Sequence, residues 1–211
     1  KIMPFGEQAF APERITLAVD SGADVINMSW TSLPLSPIDP LHPDLVEALD
    51  YAWEKGVVLV AAAGNDFYPN CEHPASHPKV LCVASTDGAG MPSRLSNFPN
   101  KIEGYALRAP GGVGQGGCDA PNDIWGPLPP TSTYGNCGVY AGYEALGGTS
   151  MAAPHVAGVA AMLSGLGLNN QEIVDCITST AVNPLTGERG KSDPVYGYGI
   201  LDAHEAVTAC R

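Results

Sequence analysis

Two apolar runs with an amphipathic helix between them constrain the fold of this chain most tightly. Val25 to Trp30 and Val57 to Ala62 are short, apolar and bounded by turn residues, the pattern of strands covered on both faces. Between them, residues 44–55 repeat Leu45, Ala48, Leu49 and Ala52 at helical spacing, and Gly56 supplies the stop. Strand, helix, strand in that rhythm is a βαβ unit and implies a parallel sheet. Another apolar run, Val80 to Ala84, continues the pattern. The expected fold class is α/β: a three-layer domain with a mostly parallel central sheet flanked by helices. With 211 residues, 45% hydrophobic and 15% charged, the chain suits one domain with a sizeable core and not a disordered segment.

Other elements follow from local signals. Ala11-Pro12-Glu13-Arg14 opens a helix, Ile15, Ala18 and Val19 keep its spacing, and Gly22 ends it. Asn170 to Ile177 reads as a helix with an N-terminal cap. Residues 111–146 read as one long Gly/Pro-rich loop bordering whatever site the chain builds.

A net charge of -12 argues against a nucleic-acid partner. Val57 to Ala63, the longest apolar run, is too short to span a membrane. Lys1-Ile2-Met3-Pro4 carries no signal-peptide pattern, so any targeting segment is expected to be removed or to lie outside these residues. The six cysteines form no Cys-x-x-Cys pair, which leaves zinc and redox chemistry unsupported and points to structural disulfides in a secreted protein. Sequential pairing, 71–82, 118–137 and 176–210, is expected because each pair brackets one local loop.

The stretch Gly147-Gly148-Thr149-Ser150-Met151-Ala152-Ala153-Pro154-His155-Val156-Ala157-Gly158 is a tight glycine turn feeding a small-residue, apolar helix. Thr149 or Ser150 is the expected N-cap. A serine at the mouth of such a helix lies near unpaired N–H groups and the positive end of the dipole, which favours an anion forming beside its oxygen. An isolated Gly-Thr-Ser would signify only a capping serine. The whole string, however, closely resembles the nucleophile motif of the subtilisin-like serine proteases (subtilases), Gly-Thr-Ser-Met-Ala-x-Pro-His-Val-Ala-Gly. The resemblance makes Ser150 the nucleophile.

Other stretches resemble the same family. Asp24-Val25-Ile26-Asn27-Met28-Ser29 is similar to its substrate strand, which assigns substrate-backbone pairing to Ser29, Trp30 and Thr31 and makes Trp30 a candidate subsite wall. Ala61-Ala62-Ala63-Gly64-Asn65 is similar to the segment that lines the S1 pocket and ends in an oxyanion-donating asparagine. Asn65 is therefore the expected oxyanion donor, and Ala61 to Gly64 a second edge against which an extended substrate would lie. Cys71 to Pro78 resembles the segment at the base of S1; aligned so, Glu72 approaches the pocket floor and favours Lys or Arg at P1, the residue before the scissile bond. Ser93 to Phe98, Tyr105 to Gly112 and Gly197 to Ala203 resemble further family stretches.

The resemblance covers the back part of a subtilase catalytic domain, so residues 1–211 are expected to be the C-terminal portion of one such domain, with N-terminal strands missing. Asp20-Ser21-Gly22 superficially matches the family's Asp-Ser/Thr-Gly motif, but the substrate strand follows at once and leaves no room for the histidine segment; Asp20 is read as an exposed helix end. None of the five histidines lies in a His-Gly-Thr context. His155 follows Ser150 by roughly 7.5 Å along one helix and on another face. The expected function is serine endopeptidase chemistry on polypeptides through a Ser150 acyl-enzyme, with catalytic Asp and His supplied by a separate N-terminal chain of the same protease. The alternative is an inactive subtilase-like binding module. Structural calcium is possible by family resemblance, but no ligand set is assignable.

Overall fold

The computed structural model describes residues 11–31, 43–101, 103–113, 122–127 and 142–210. Four parallel strands form the central sheet: β1 (Val25–Met28), β2 (Val58–Ala62), β3 (Val80–Thr86) and β4 (Ala106–Pro110), in the order β1-β2-β3-β4. Val25 lies opposite Val58 and Met28 opposite Ala61; Leu59 lies opposite Val80, and Cys82 opposite Ala106. Strands β2 and β3 are buried along their whole length, as central strands covered on both faces must be.

Alternate residues of each strand enter different cores. Leu59, Ala61 and Cys82 pack with Ile15 of α1 (Ala11–Asp20) and with Leu49 and Ala52 of α2 (Pro43–Glu54). Val58, Val60, Leu81 and Val83 pack on the other face with Val156 and Leu163 of α3 (Thr149–Gly165) and Ile177 of α4 (Asn170–Thr180). Ala206 of α5 (Ala203–Ala209) closes that layer. The α/β three-layer architecture is thus observed.

Helix termini follow local chemistry. Gly22 and Gly56 take positive φ after α1 and α2. Asn169 and Glu172 form a reciprocal capping box on α4, and Asp202 caps α5 by accepting from the Glu205 amide. Asp20 is exposed at the end of α1 and accepts the Tyr51 hydroxyl at 2.7 Å, so it is the helix end expected.

Two expectations are corrected. β1 is not a fully buried strand: Val25 and Ile26 are half-buried and Asn27 is exposed, because among the described residues β1 pairs only with β2 and stands at the sheet edge. Residues 111–146 are not structureless either. β5 (Ile124–Pro127) and β6 (Tyr143–Leu146) form an antiparallel ribbon with Ile124 opposite Leu146. Four-residue strands containing Gly126 and Pro127 carry too little period-2 signal to stand out from a turn-rich background.

Disulfides join Cys71 to Cys82 and Cys176 to Cys210, as expected; Cys118 and Cys137 lie outside the described residues. The first ties the segment before β3 to that strand, and the second ties α4 to the end of α5. No helix among the described residues is long and apolar enough to cross a membrane. The outer face of α3 exposes Pro154, His155, Gly158, Ala161 and Met162, a surface without Asp, Glu, Lys or Arg on a helix that is apolar all round.

Candidate active site

β2 and α3 meet at the C-terminal end of the sheet, where the loop leaving one strand touches the first turn of the helix. Gly148 precedes α3 with φ 143° and offers no side-chain cap. The cap comes from across the chain. Asn65 Oδ1 accepts both the Thr149 backbone N–H, at 3.0 Å, and the Thr149 hydroxyl, at 3.1 Å. Gly64 N–H in turn donates to Thr149 Oγ1 at 3.2 Å. The expected cap at Thr149 or Ser150 is therefore corrected: both lie inside the helix, and Asn65 takes the capping role because the turn at Gly148 aims the Thr149 amide at it.

This arrangement orients Asn65. An oxygen accepting from an N–H and an O–H identifies which end of the carboxamide it is. The Nδ2 end is left pointing away from Thr149, and Asn65 is exposed. Ser150 follows in the first turn, where backbone N–H groups lack intrahelical partners. Its Oγ donates to Ser29 O at 3.1 Å, while Ser29 Oγ donates to Ser150 O at 2.8 Å. The end of β1 and the start of α3 are thus stitched together. The hydroxyl proton of Ser150 rests on a main-chain carbonyl, which holds it without accepting it.

Ala61, Ala62, Ala63 and Gly64 are all buried. Several of their main-chain groups are engaged within the fold. Ala61 is paired on both sides, to Met28 and Cys82. Ala63 N–H donates to Val83 O at 2.9 Å, and Ala63 O accepts the Glu72 amide at 2.9 Å. Gly64 O accepts the Asn97 amide at 2.9 Å. Ala61 to Gly64 thus present a run of small residues at the end of β2. Ser29, Trp30 and Thr31 follow directly beyond the end of β1. Trp30 is half-buried and packs on the core with Ile26 and Tyr51.

Beside Gly64 lies Glu72, 3% exposed. Asn97, fully buried, holds it in place. Its Nδ2 donates to Glu72 Oε1 and to Ala63 O, each at 3.0 Å, and its Oδ1 accepts the amides of Asp66 at 3.0 Å and Tyr68 at 2.9 Å. Burial raises the Glu72 carboxyl above the usual carboxylate range; Asn97 and Thr31 oppose that rise, and the nearby Asp66 carboxylate adds to it. Gly64 must be glycine here. A Cβ would strike Asn97 Nδ2 and lie 2.7 Å from Glu72 Cδ, at a φ of +112° that side chains disfavour. Sequence reasoning missed the parts played by Asn97 and Asp66. The signal for Asn97 was the family-like stretch Ser93 to Phe98; that for Asp66 was only its place beside Asn65.

Histidines are held elsewhere. His77 Nε2 faces Asp50 Oδ1 at 3.6 Å, His73 Nδ1 meets Ser76 Oγ, and His155 Nδ1 meets Met151 O at 2.9 Å. Burial lowers the pKa of His73 and His77. His42 lies outside the described residues. Among the described residues no histidine or carboxylate is hydrogen-bonded to Ser150. No group of three or more His, Cys, Asp or Glu able to hold a metal ion occurs among them either. Lys101 Nζ donates to the main-chain oxygens of His77 and Val80 at 2.7 Å each.

The profile of the subtilase family matches residues 4–199. Thermitase of Thermoactinomyces vulgaris is 36% identical over 193 residues, which are 92% of this chain and 57% of thermitase. The thermophilic serine proteinase of Bacillus sp. (strain AK1) is 35% identical over 196 residues, 93% of this chain and 40% of that protein. The chain thus spans roughly half the length of these two curated relatives. Another relative, 34% identical over 90% of this chain and 32% of its own length, is a calcium-dependent protease of Nostoc sp. (strain PCC 7120 / SAG 25.82 / UTEX 2576). Among solved structures, the prenylagaramide maturation protease PagA superposes with a TM-score of 0.74 at 28% identity, over 100% of this chain and 70% of that one. A protease from Pseudoalteromonas arctica PAMC 21717 superposes with a TM-score of 0.77 at 29% identity, over 98% of this chain and 60% of its own.

Proposed function

Since the chain belongs to the subtilase family, we propose that it carries the nucleophile half of a serine endopeptidase site. The observation that carries this reading is the Asn65–Thr149 contact. It fixes the carboxamide by its oxygen at 3.0 and 3.1 Å and leaves an NH2 group beside the helix turn that bears Ser150. That is the placement an oxyanion donor needs, fixed before the reaction starts.

The chemistry is acyl transfer. A histidine, oriented by an aspartate, takes the Ser150 proton from its resting place on Ser29 O. Ser150 Oγ attacks the peptide carbonyl, and the resulting oxyanion accepts hydrogen bonds from Asn65 Nδ2 and the Ser150 backbone N–H. Collapse releases the amine and leaves an acyl-enzyme that water hydrolyses. Ser29, Trp30 and Thr31 pair with the extended polypeptide, while residues 61–64 and Glu72 line the pocket for the P1 side chain. The Asp and His come from a separate N-terminal chain of the same protease. Two features support that partner: the edge of β1, unpaired on one side among the described residues, and the outer face of α3, which carries no Asp, Glu, Lys or Arg; an additional layer would cover both. The self-cleaved protease domain of PatA, 29% identical with a TM-score of 0.73, supports autoprocessing as the origin of two chains. The disulfides, together with relatives such as the halolysin-like extracellular serine protease Nep of Natrialba magadii, 37% identical over 93% of this chain, support secretion.

The test is peptide hydrolysis by the complete protease. Ser150→Ala should abolish turnover. Asn65→Ala should lower kcat by about 100- to 1000-fold, the magnitude known for such a donor in a subtilisin and borrowed from there, with KM little changed. Turnover that survives Ser150→Ala would overturn the assignment.

A further inference from the structure

Acyl transfer as described gives no task to the most deeply buried cation of the chain. Arg108 lies in β4 with no exposure to solvent. Its Nε donates to Val195 O at 2.7 Å, and its Nη1 donates to Ser85 O at 2.8 Å and to Ser96 Oγ at 3.4 Å. Nη2 is buried and has no hydrogen-bond partner among the described residues. The rings of Phe98 and Tyr196 lie 5.8 and 5.7 Å from the guanidinium carbon, and no carboxylate among the described residues forms an ion pair with it. Burial lowers its pKa to about 10, with Tyr196 and Asp193 opposing the fall, so the group stays charged in neutral solution. Stability does not account for such a residue. A buried charge held by neutral oxygens is costly to desolvate, and apolar side chains of similar volume commonly replace buried ionic groups without loss.

Two lines of contact run from the guanidinium toward the site. One passes through the end of β3. Ser85, whose carbonyl holds Nη1, places its Oγ 2.9 Å from Ser93 Oγ and 3.2 Å from Gly112 O, and Ser93 Oγ donates to the same Gly112 O. The amides of Gly111 and Gly112 both donate to Thr86 O at 3.0 Å, and Gly111 O accepts the Gly148 amide at 2.7 Å. Gly148 forms the turn that opens α3 just before Ser150. The join is tight: a Cβ on Gly111 would lie 2.3 Å from Ser85 Oγ and 2.6 Å from Gly148 O. The other line passes through Ser96, whose Oγ accepts the Ser85 amide at 2.9 Å and donates to Asn97 O at 2.8 Å. Asn97 in turn holds Glu72 and Ala63 O at the strand end that leads to Asn65. A planar guanidinium meets these separate acceptors with a rigid fork, which an ammonium on a flexible stem cannot do.

We propose that Arg108 is a positioning residue for acyl transfer, holding the end of β3 and Ser96 in one frame so that the Gly148 turn and the strand end before Asn65 keep a fixed relation. The inference rests on the peptidase reading above. Arg108 touches no reacting atom. It acts on Ser150 through Ser85, Gly111 and Gly148, and on the approach to Asn65 through Ser96 and Asn97. The nucleophile and the oxyanion donor contribute most in the transition state, so loosening this frame lowers kcat and leaves KM nearly as it was.

The complete protease should be assayed on one peptide, with active sites counted by fluorophosphonate labelling so that unfolded molecules do not enter kcat. Arg108→Lys keeps the charge and loses the fork. It should lower kcat per labelled site on the order of 100-fold, the loss expected when a reacting group is misplaced by about 1 Å, with KM little changed. Ser85→Ala leaves Arg108 and its carbonyl contact in place and removes only the hydroxyl relay, so it decides the matter if Arg108→Lys yields no labelled sites; it should lower kcat several-fold. The double variant should lose less than the product of the two single losses, as members of one network do. Asn169→Ala removes the cap of α4 and costs stability elsewhere in the fold; its kcat per labelled site should match that of the unaltered protease. Unchanged kcat per labelled site in either Arg108→Lys or Ser85→Ala, a loss confined to KM, or fully multiplicative losses in the double variant would overturn the positioning role while leaving the peptidase standing. An unaltered protease that neither cleaves the peptide nor reacts at Ser150 would remove the peptidase reading and this inference with it.

Discussion

Asn97→Ala is the substitution whose consequences the structure specifies most fully. The side chain is completely buried and makes four hydrogen bonds. Their loss is unequal. The amides of Asp66 and Tyr68 belong to exposed residues and can turn to water, at about 0.5 kcal/mol each. Ala63 O retains the Glu72 amide at 2.9 Å, so losing its second donor costs about 0.5–1 kcal/mol. Glu72 Oε1 loses its donor in a dry site, at about 1–3 kcal/mol. The sum is about 2.5–5 kcal/mol, a large share of a typical domain stability of about 5–15 kcal/mol. Urea denaturation of the complete protease should show a lower midpoint at unchanged slope. Asn97→Asp sharpens the test. It keeps the acceptor for two amides but sets a third carboxyl beside Glu72 and Asp66, so its deficit should exceed that of Asn97→Ala at pH 8 and shrink at pH 5. A loss below about 1 kcal/mol for Asn97→Ala, smaller than one buried unsatisfied group, would refute the role of Asn97 as organiser of this site.

Two further outcomes follow from ionisable groups outside the site. Burial lowers the Lys101 pKa from 10.5 to about 7, so the unfolded chain binds a proton there that the folded protein releases. Its contribution is fully present above pH 10.5 and is lost as pH falls toward 7; Lys101→Met should flatten that part of the stability–pH curve measured by denaturation. Asp202 caps α5 and pairs with Arg189 at 2.7 Å, and the cap and Arg189 hold its pKa below the usual range. Asp202→Ala should cost about 1 kcal/mol in denaturation experiments, and the deficit should disappear as pH falls through the folded-state pKa of Asp202.

Legibility in the sequence followed the range of the interactions involved. β2 and β3 were readable because burial on both faces writes an unbroken apolar run, as in Val57 to Ala62 and Val80 to Ala84. Gly22 and Gly56 marked helix ends because positive φ there is a local demand. The strand ribbon at 124–127 and 143–146 escaped because four residues with Gly126 and Pro127 carry almost no alternation. Exposure of β1 escaped for another reason: an apolar strand reads the same at the edge of a sheet as at its centre. At the site, Ser150 and Asn65 were singled out by motifs, but the contact that orients Asn65 joins residues 84 apart. No local pattern announces that Thr149 is capped from there. The engaged main-chain groups of Ala63 and Gly64 are likewise long-range facts. Asn97 and Asp66 look like ordinary loop residues until Glu72 lies between them.

The measurement that bears most directly on the central claim is fluorophosphonate labelling of the complete protease, read by intact mass and peptide mapping. The account predicts one label per molecule, on Ser150, absent in Ser150→Ala and slowed in Asn65→Ala, together with an N-terminal chain that remains bound under native conditions and carries the aspartate and histidine. An active enzyme labelled at another residue, or a complete protein that hydrolyses peptides while Ser150 stays unmodified, would contradict it.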